Sequence, residues 1–355
     1  MNAINQMSIA EAGGIAPVVA ALIRHTSTSG VCDAACGALR NLALNATNQA
    51  SIAKAGGIAP VVAALSRHGG NSGVCEAACC ALRNLAVHAA NQVSIAEACG
   101  ISPVVAALSR HGDDSGVCDA ACCALWNLAV HAANKVSIAA AGGMVPMVAA
   151  LSRHGGNSGV CKVICGALQN LALDTTNQVS ITEAGSIAPV VAALTRHGDD
   201  SGVCEAACGV LRNLALNATN QVSIAKAGGI APVVAALSRH GGHSGVCEAA
   251  CGALRNLAVH AANKVSIAEA GGIVPMVAAL SRHGGNSGVC QVICGVLRNL
   301  ALDTTNQVSI AEAGSIAPVV AALTRHGDDS DVWRVGCGAL CSLGVQPRLL
   351  FSHAR

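Results

Sequence analysis

The stretch NQASIAKAGGIAPVVAALSRHGGNSGVCEAACCALRNLAVHAA, residues 48–90, decides the fold. It predicts three helices. A short one runs from Ser51 to Ala55 and stops at Gly56-Gly57, where glycine turns sharply without steric cost. Pro60 then suits the first turn of a second helix, which needs no N–H there, and Val61, Val62, Ala64 and Leu65 follow. Arg67-His68-Gly69-Gly70 reads as its end, with basic residues favoured by the helix dipole. Ser72 is the expected cap of a third, longer helix with Glu76 in its first turn. Val74, Ala78, Ala81 and Leu85, spaced by four, three and four, give that helix one apolar stripe.

The rest of the chain repeats this unit. Asn recurs every 43 residues at Asn5, Asn48, Asn91, Asn134, Asn177, Asn220, Asn263 and Asn306. Pro and the Arg-His pair keep the same register, from Pro17 to Pro318 and from Arg24-His25 to Arg325-His326. The expected division is a single solenoid, residues 5–348, of eight repeats: 5–47, 48–90, 91–133, 134–176, 177–219, 220–262, 263–305 and 306–348. A short tail, 349–355, completes it. Three helices that cannot bury their apolar faces alone must stack on neighbouring copies. The fold class is therefore all-α, a superhelical rod of three-helix repeats, about 80 Å long if layers lie about 10 Å apart.

Composition agrees with thin layers of small side chains. The 355 residues are 52% hydrophobic yet include one Phe, no Tyr and two Trp, so Ala, Val, Leu, Ile and Cys fill the core. Lys plus Arg is 21 against 19 for Asp plus Glu, and a net +2 offers no general attraction to nucleic acid or membrane. Apolar runs such as IAPVVAAL end well short of the roughly 20 residues of a membrane span. The opening MNAINQMSIAEAGG has no basic-then-apolar leader pattern, so the 19 cysteines read as free thiols in a reducing compartment, cytoplasmic or nuclear.

The motifs Asn48-x3-Ile52, Gly56-Gly57-Ile58-x-Pro60 and Ala81-Leu82-Arg83-Asn84-Leu85, recurring through residues 5–348, resemble the armadillo repeat of β-catenin and importin-α. HEAT repeats lack the Gly-Gly turn. The resemblance implies an armadillo-type α-solenoid with a right-handed superhelix, and a non-catalytic scaffold that holds an extended partner segment along a concave groove of third helices. It places the groove asparagines at Asn41, Asn84, Asn127, Asn170, Asn213, Asn256 and Asn299, with Ser342 as the departure in the eighth unit. A side-chain amide both donates and accepts, so it can satisfy a peptide backbone of any sequence.

Importin-α places Trp four residues before that Asn, whereas this chain has Gly37, Cys80, Cys123, Gly166, Gly209, Gly252, Gly295 and Gly338. That disfavours a transport adaptor of the importin-α kind. The groove is edged instead by Arg40, Arg83, Arg212, Arg255 and Arg298, with Trp126 and Gln169 as exceptions. The expected partner is an extended, acidic protein segment, with no cofactor, nucleic acid, membrane or small-molecule substrate. Two alternatives stay open: the asparagines bond neighbouring repeats, and the arginines pair with acids one and two turns away on their own helix.

Other recurring residues read as structural. Cys75 with Cys79 and Cys204 with Cys208 lie on one side of a helix, a spacing zinc could use. Buried packing is the plainer reading, with the first Cys of each pair the more exposed. The His25, His68, His111 series sits at helix ends, and Asp113-Asp114, Asp199-Asp200 and Asp328-Asp329 read as solvated loop acids. Two positions vary while the core repeats: Asp33, Glu76, Asp119, Lys162, Glu205, Glu248, Gln291, Arg334, and Asn45, His88, His131, Asp174, Asn217, His260, Asp303, Gln346. Both read as exposed surface free to diversify. Catalysis has no support, because an active site is one constellation and every candidate here recurs repeat after repeat. A thiol-based metal or redox protein is the remaining alternative.

Overall fold

A computed structural model describes residues 3–345. Among them every regular element is an α-helix, from Ala3–Glu11 to Ser330–Ser342. The helices come in sets of short, medium and long, such as Ala46–Lys54, Ile58–Arg67 and Ser72–Leu85. Gln346 and the tail 349–355 lie outside the described residues. Two compact units divide the chain, Met1–Ser186 and Ile187–Arg355. Within each, third helices of successive repeats lie side by side and carry most of the packing between repeats. Ile52, Leu65, Leu82 and Leu85 are fully buried there.

The first helix begins five residues before the predicted Ser51. Asn45 explains this: its side chain accepts the N–H groups of Thr47 and Asn48 and caps Ala46–Lys54. Asp174, Asn217 and Asp303 cap the corresponding helices, while His88, His131 and His260 sit there without a side-chain cap bond. The series that looked like free surface is therefore a capping position in about half of its members.

The third helix is capped by Asn71, not Ser72. Its Oδ1 accepts from the Val74 N–H at 3.1 Å, and Ser72 is the first helical residue. Asp114, Asp200 and Asp329 take the same place, each accepting two backbone N–H groups. Asp113 meets Arg153 Nε at 2.9 Å and Asp199 pairs with Arg239. These loop acids are thus caps and ion-pair partners.

The two glycines of the turn do different jobs. Gly56 has φ +72°, the left-handed region that a β-carbon disfavours. Gly57 has an ordinary φ, but a β-carbon there would stand 2.8 Å from Ile52 Cγ2 and 3.0 Å from the Ile52 carbonyl. Cys99 occupies the first position in its repeat with φ 57°. Ser186 and Ser315 occupy the second, with buried hydroxyls that have no partner.

In the first seven repeats both members of the Cys-x3-Cys pair are buried, correcting the expectation for the first, whereas Cys337 is half-buried and Cys341 exposed. Cys75 is 0% exposed, and its thiol faces the carbonyls of His68 and Gly69 at 3.9 and 3.6 Å. Burial pushes the thiols of Cys36 and Cys294 up to about 12 and that of Cys118 up to about 11.

Candidate functional site

The last four carbonyls of a helix have no partner within it. In each unit, recurring polar side chains of one repeat reach back to carbonyls of the preceding repeat. Asn84 Nδ2 donates to the Arg40 carbonyl and Asn127 Nδ2 to the Arg83 carbonyl, both at 2.9 Å. Asn170 reaches the Trp126 carbonyl at 3.4 Å. In the second unit Asn256 donates to Arg212 at 2.8 Å and Asn299 to Arg255 at 3.0 Å. Asn41 is half-buried on the third helix of the first repeat, and Asn213 is 5% exposed.

Two further series do the same work. His68, His111 and His154 place Nε2 at 2.8 Å from the carbonyls of Thr26, Gly69 and Gly112, one repeat back. A carbonyl only accepts, so each Nε2 carries the proton. Asn48 Nδ2 is shared between the Gln6 carbonyl of the previous repeat and the Leu42 carbonyl, at 3.0 and 3.1 Å. Asn91 repeats this with Gln49 and Leu85. Each seam between such repeats therefore carries three side-chain-to-backbone staples.

An amide has two N–H groups and one oxygen, so the third-helix asparagines keep some capacity beyond the staple. How much is open varies. Asn84, Asn213 and Asn256 are buried, whereas Asn41, Asn127, Asn170 and Asn299 are half-buried. Asn84 Oδ1 is also taken, by Arg83 Nε at 3.3 Å.

The arginines pair between helices rather than along one. Arg40 Nη1 lies 3.8 Å from Glu76, Arg83 Nη1 3.4 Å from Asp119 and Arg212 Nη1 3.3 Å from Glu248, each on the next third helix. Arg255 and Arg298 have no carboxylate partner among the described residues, because the equivalent positions are Gln291 and Arg334. Partial burial, and then the positive charges of Arg212, Arg298 and Arg334, lower the pKa of Arg255.

Glycine at the position of the importin-α tryptophan has a local cause. A β-carbon on Gly252 would stand 2.5 Å from Arg212 Cδ, and those on Gly295 and Gly338 2.7 Å from Cδ of Arg255 and Arg298. On Gly166 it would stand 2.7 Å from the Trp126 ring. Gly166, Gly252, Gly295 and Gly338 are thus beds for the arginine stem, or indole, of the preceding repeat, while Cys80 and Cys123 hold the same place beside Arg40 and Arg83.

Sequence reasoning missed Arg334 as a member of this face, although the change from acid to base at its position was visible. It also missed an apolar edge. Leu44, Val87, Val130, Leu173, Leu216, Val259 and Leu302, three residues past each Asn, are all more than half exposed.

Among the described residues, no three His, Cys, Asp or Glu side chains converge on a point that could hold a metal. No single helix there is long and apolar enough to cross a membrane.

Repeated three-helix layers with one continuous series of polar side chains per unit define an α-solenoid scaffold. The comparisons name the repeat. A model of the armadillo/β-catenin-like repeat matches residues 217–259, and one described as the LRRK2 ARM repeat matches residues 58–187. The chain is a tandem array of armadillo repeats. An engineered protein is similar over 98% of this chain and 92% of its own, with 25% identity and a TM-score of 0.72. A designed armadillo repeat protein covers 68% of this chain and 99% of its own, with 22% identity and a TM-score of 0.58. Another, solved in complex with the peptide (KR)4, covers the same shares with 21% identity and a TM-score of 0.56. No curated protein matches the chain in sequence.

Proposed function

We propose that this chain is a non-catalytic protein-binding scaffold that holds an extended, acidic segment of a partner along its third-helix face. The observation that carries the reading is the series of half-buried arginines on the third helices within each unit, with glycine beneath Arg212, Arg255 and Arg298 and amides beside them. Guanidinium forks recognise carboxylates in two-point geometry, and the amides add donors and acceptors for a peptide backbone. The half-exposed aliphatic edge offers apolar contact to the partner's side chains. A designed relative of the same fold was solved with a peptide bound, which supports a peptide as the ligand class.

Backbone capture by amides alone is weak. Each such bond is worth about 0.5–1.5 kcal/mol, and association costs about 4–15 kcal/mol. Since the staples already engage one N–H of most rungs, the arginines supply the larger share. A transport adaptor of the importin-α kind fits less well, because arginine stems lie over the glycines where its tryptophans would stand. Nucleic acid, membrane and small-molecule substrates are not part of the proposal. The many free thiols favour the cytoplasm or nucleus as the site of action.

Cross-linking mass spectrometry of the protein from its native cell tests this. Cross-links from one extended partner segment to successive third helices are expected. Cross-links confined to the loops, such as Gly112-Asp113-Asp114, would overturn it.

A further inference from the structure

In Ile187–Arg355 the arginine column runs Arg212, Arg255, Arg298, and the early turn of the following third helix supplies Glu248, Gln291 and Arg334 in turn. The pair that forms sets the register: Arg212 Nη1 lies 3.3 Å from Glu248 Oε1, thirty-six residues on. Arg83 with Asp119 repeats that offset in Met1–Ser186. One repeat beyond Glu248 the acid is replaced by a neutral amide, and two repeats beyond by a cation.

The backbone and stems do not change along this series. Arg255 and Arg298 lie over Gly295 and Gly338 as Arg212 lies over Gly252, and Asn299 staples to the Arg255 carbonyl as Asn256 does to that of Arg212. Only the neutralising partner is lost. Arg334 has Asp331 at 3.1 Å, but both are 60% exposed, and such a pair is worth little. Three guanidiniums thus face outward over two seams with one exposed carboxylate among them. Arg255 is partly desolvated without an internal counter-charge, a cost that an external carboxylate offsets.

We propose that Arg255, Arg298 and Arg334 form the docking site for an acidic peptide, which fixes where the partner's acid-bearing stretch lies. This rests on the third-helix face being the binding face. Neighbouring helices are about 8–10 Å apart and an extended chain advances about 3.3 Å per residue, so acids at every second or third position meet successive arginines.

The test uses the full chain with two synthetic peptides, (Glu-Ser)4 and (Lys-Ser)4, each carrying a photo-cross-linker. Gln291→Glu combined with Arg334→Glu rebuilds the acid that Arg212 already has, and Arg298→Gln removes charge by a second route. We expect (Glu-Ser)4 to bind the parent and cross-link to Ser244–Leu257, Ser287–Leu300 or Ser330–Ser342. Both variants should weaken it about tenfold or more, with the affinity also falling in salt. Equal affinity in parent and variants, equal binding of (Lys-Ser)4, or no binding of (Glu-Ser)4 would overturn the inference. Cross-links to Ser72–Leu85 or Ser115–Leu128 would overturn it and leave the third-helix reading standing. Cross-links away from every third helix would sink both.

Discussion

The side-chain amide of Asn256 donates to the carbonyl oxygen of Arg212 at 2.8 Å, across the seam between two repeats. That carbonyl is in the last turn of its helix, where no N–H of the same helix can reach it. Asn256 is only 9% exposed, so water is a poor substitute. The residue that the armadillo resemblance assigns to ligand binding is first a fastener between repeats, and whatever it offers a partner comes from its remaining N–H and oxygen.

Truncating that fastener should therefore destabilise the array. Asn256→Ala is expected to cost about 1–3 kcal/mol, because it leaves a partly buried helix-end carbonyl unpaired. Urea denaturation would read this as a lower midpoint. An unchanged midpoint would mean the carbonyl finds water. It follows that replacing Asn213, Asn256 and Asn299 together should lower the melting temperature as well as any affinity.

Nearest-neighbour coupling makes a second prediction. Leu85 is fully buried, and Leu85→Ala should cost about 2–5 kcal/mol by cavity formation. Hydrogen exchange should accelerate most in the repeats that flank it, because each repeat contacts only its neighbours. A uniform loss of protection along the chain would contradict this.

Thiol chemistry should divide sharply by burial. A thiol reagent should react quickly with native Cys99 and Cys341, more slowly with half-buried Cys123 and Cys337, and with the other fifteen only after unfolding. The buried thiols also set an alkaline limit. Burial raises those of Cys36 and Cys294 from 9.0 to about 12 and those of Cys118 and Cys204 to about 11. The unfolded chain loses these protons from about pH 9 while the folded chain keeps them, so stability falls as pH rises. The contribution is complete below about pH 9 and declines up to about pH 12. Denaturation midpoints at about pH 8 and pH 10.5 should differ, with the lower stability at the higher pH. Equal midpoints would place the thiols in solvent.

At the turn, Cys99 holds φ 57° where most repeats have glycine. The left-handed conformation costs a side chain about 1–2 kcal/mol, and glycine's extra freedom when unfolded returns about 0.4–1 kcal/mol of that. Cys99→Gly should raise stability by about 0.5–1 kcal/mol and delete the fastest-reacting thiol. A loss of stability would mean that the Cys99 side chain makes a contact worth more than the strain.

Much of the fold was legible because its signals are local and repeated. Gly56, Pro60 and the stripe through Leu85 locate a turn and two helices without reference to anything distant. Helix starts were less legible. Asn71 and Ser72 are both good caps by composition, and only the geometry of the Val74 N–H selects Asn71. The arginine pairing was hidden because Glu76 and Arg83 share a helix in sequence, while Arg83 turns across the seam to Asp119. Side-chain direction over a glycine bed is not encoded in spacing. The staples were half visible: the recurring Asn and His announced a common role, but the carbonyls they reach lie 42 or 44 residues back.

The claim that the third-helix face binds the partner is tested most directly by hydrogen exchange of the full chain with and without its native partner. Slowed exchange is predicted in third helices, Ser115–Leu128 and Ser287–Leu300 among them, while the second helices change little. Slowing centred instead on the second-helix side, around the cleft of about 300 Å³ lined by Pro103 and Arg110, would contradict the account.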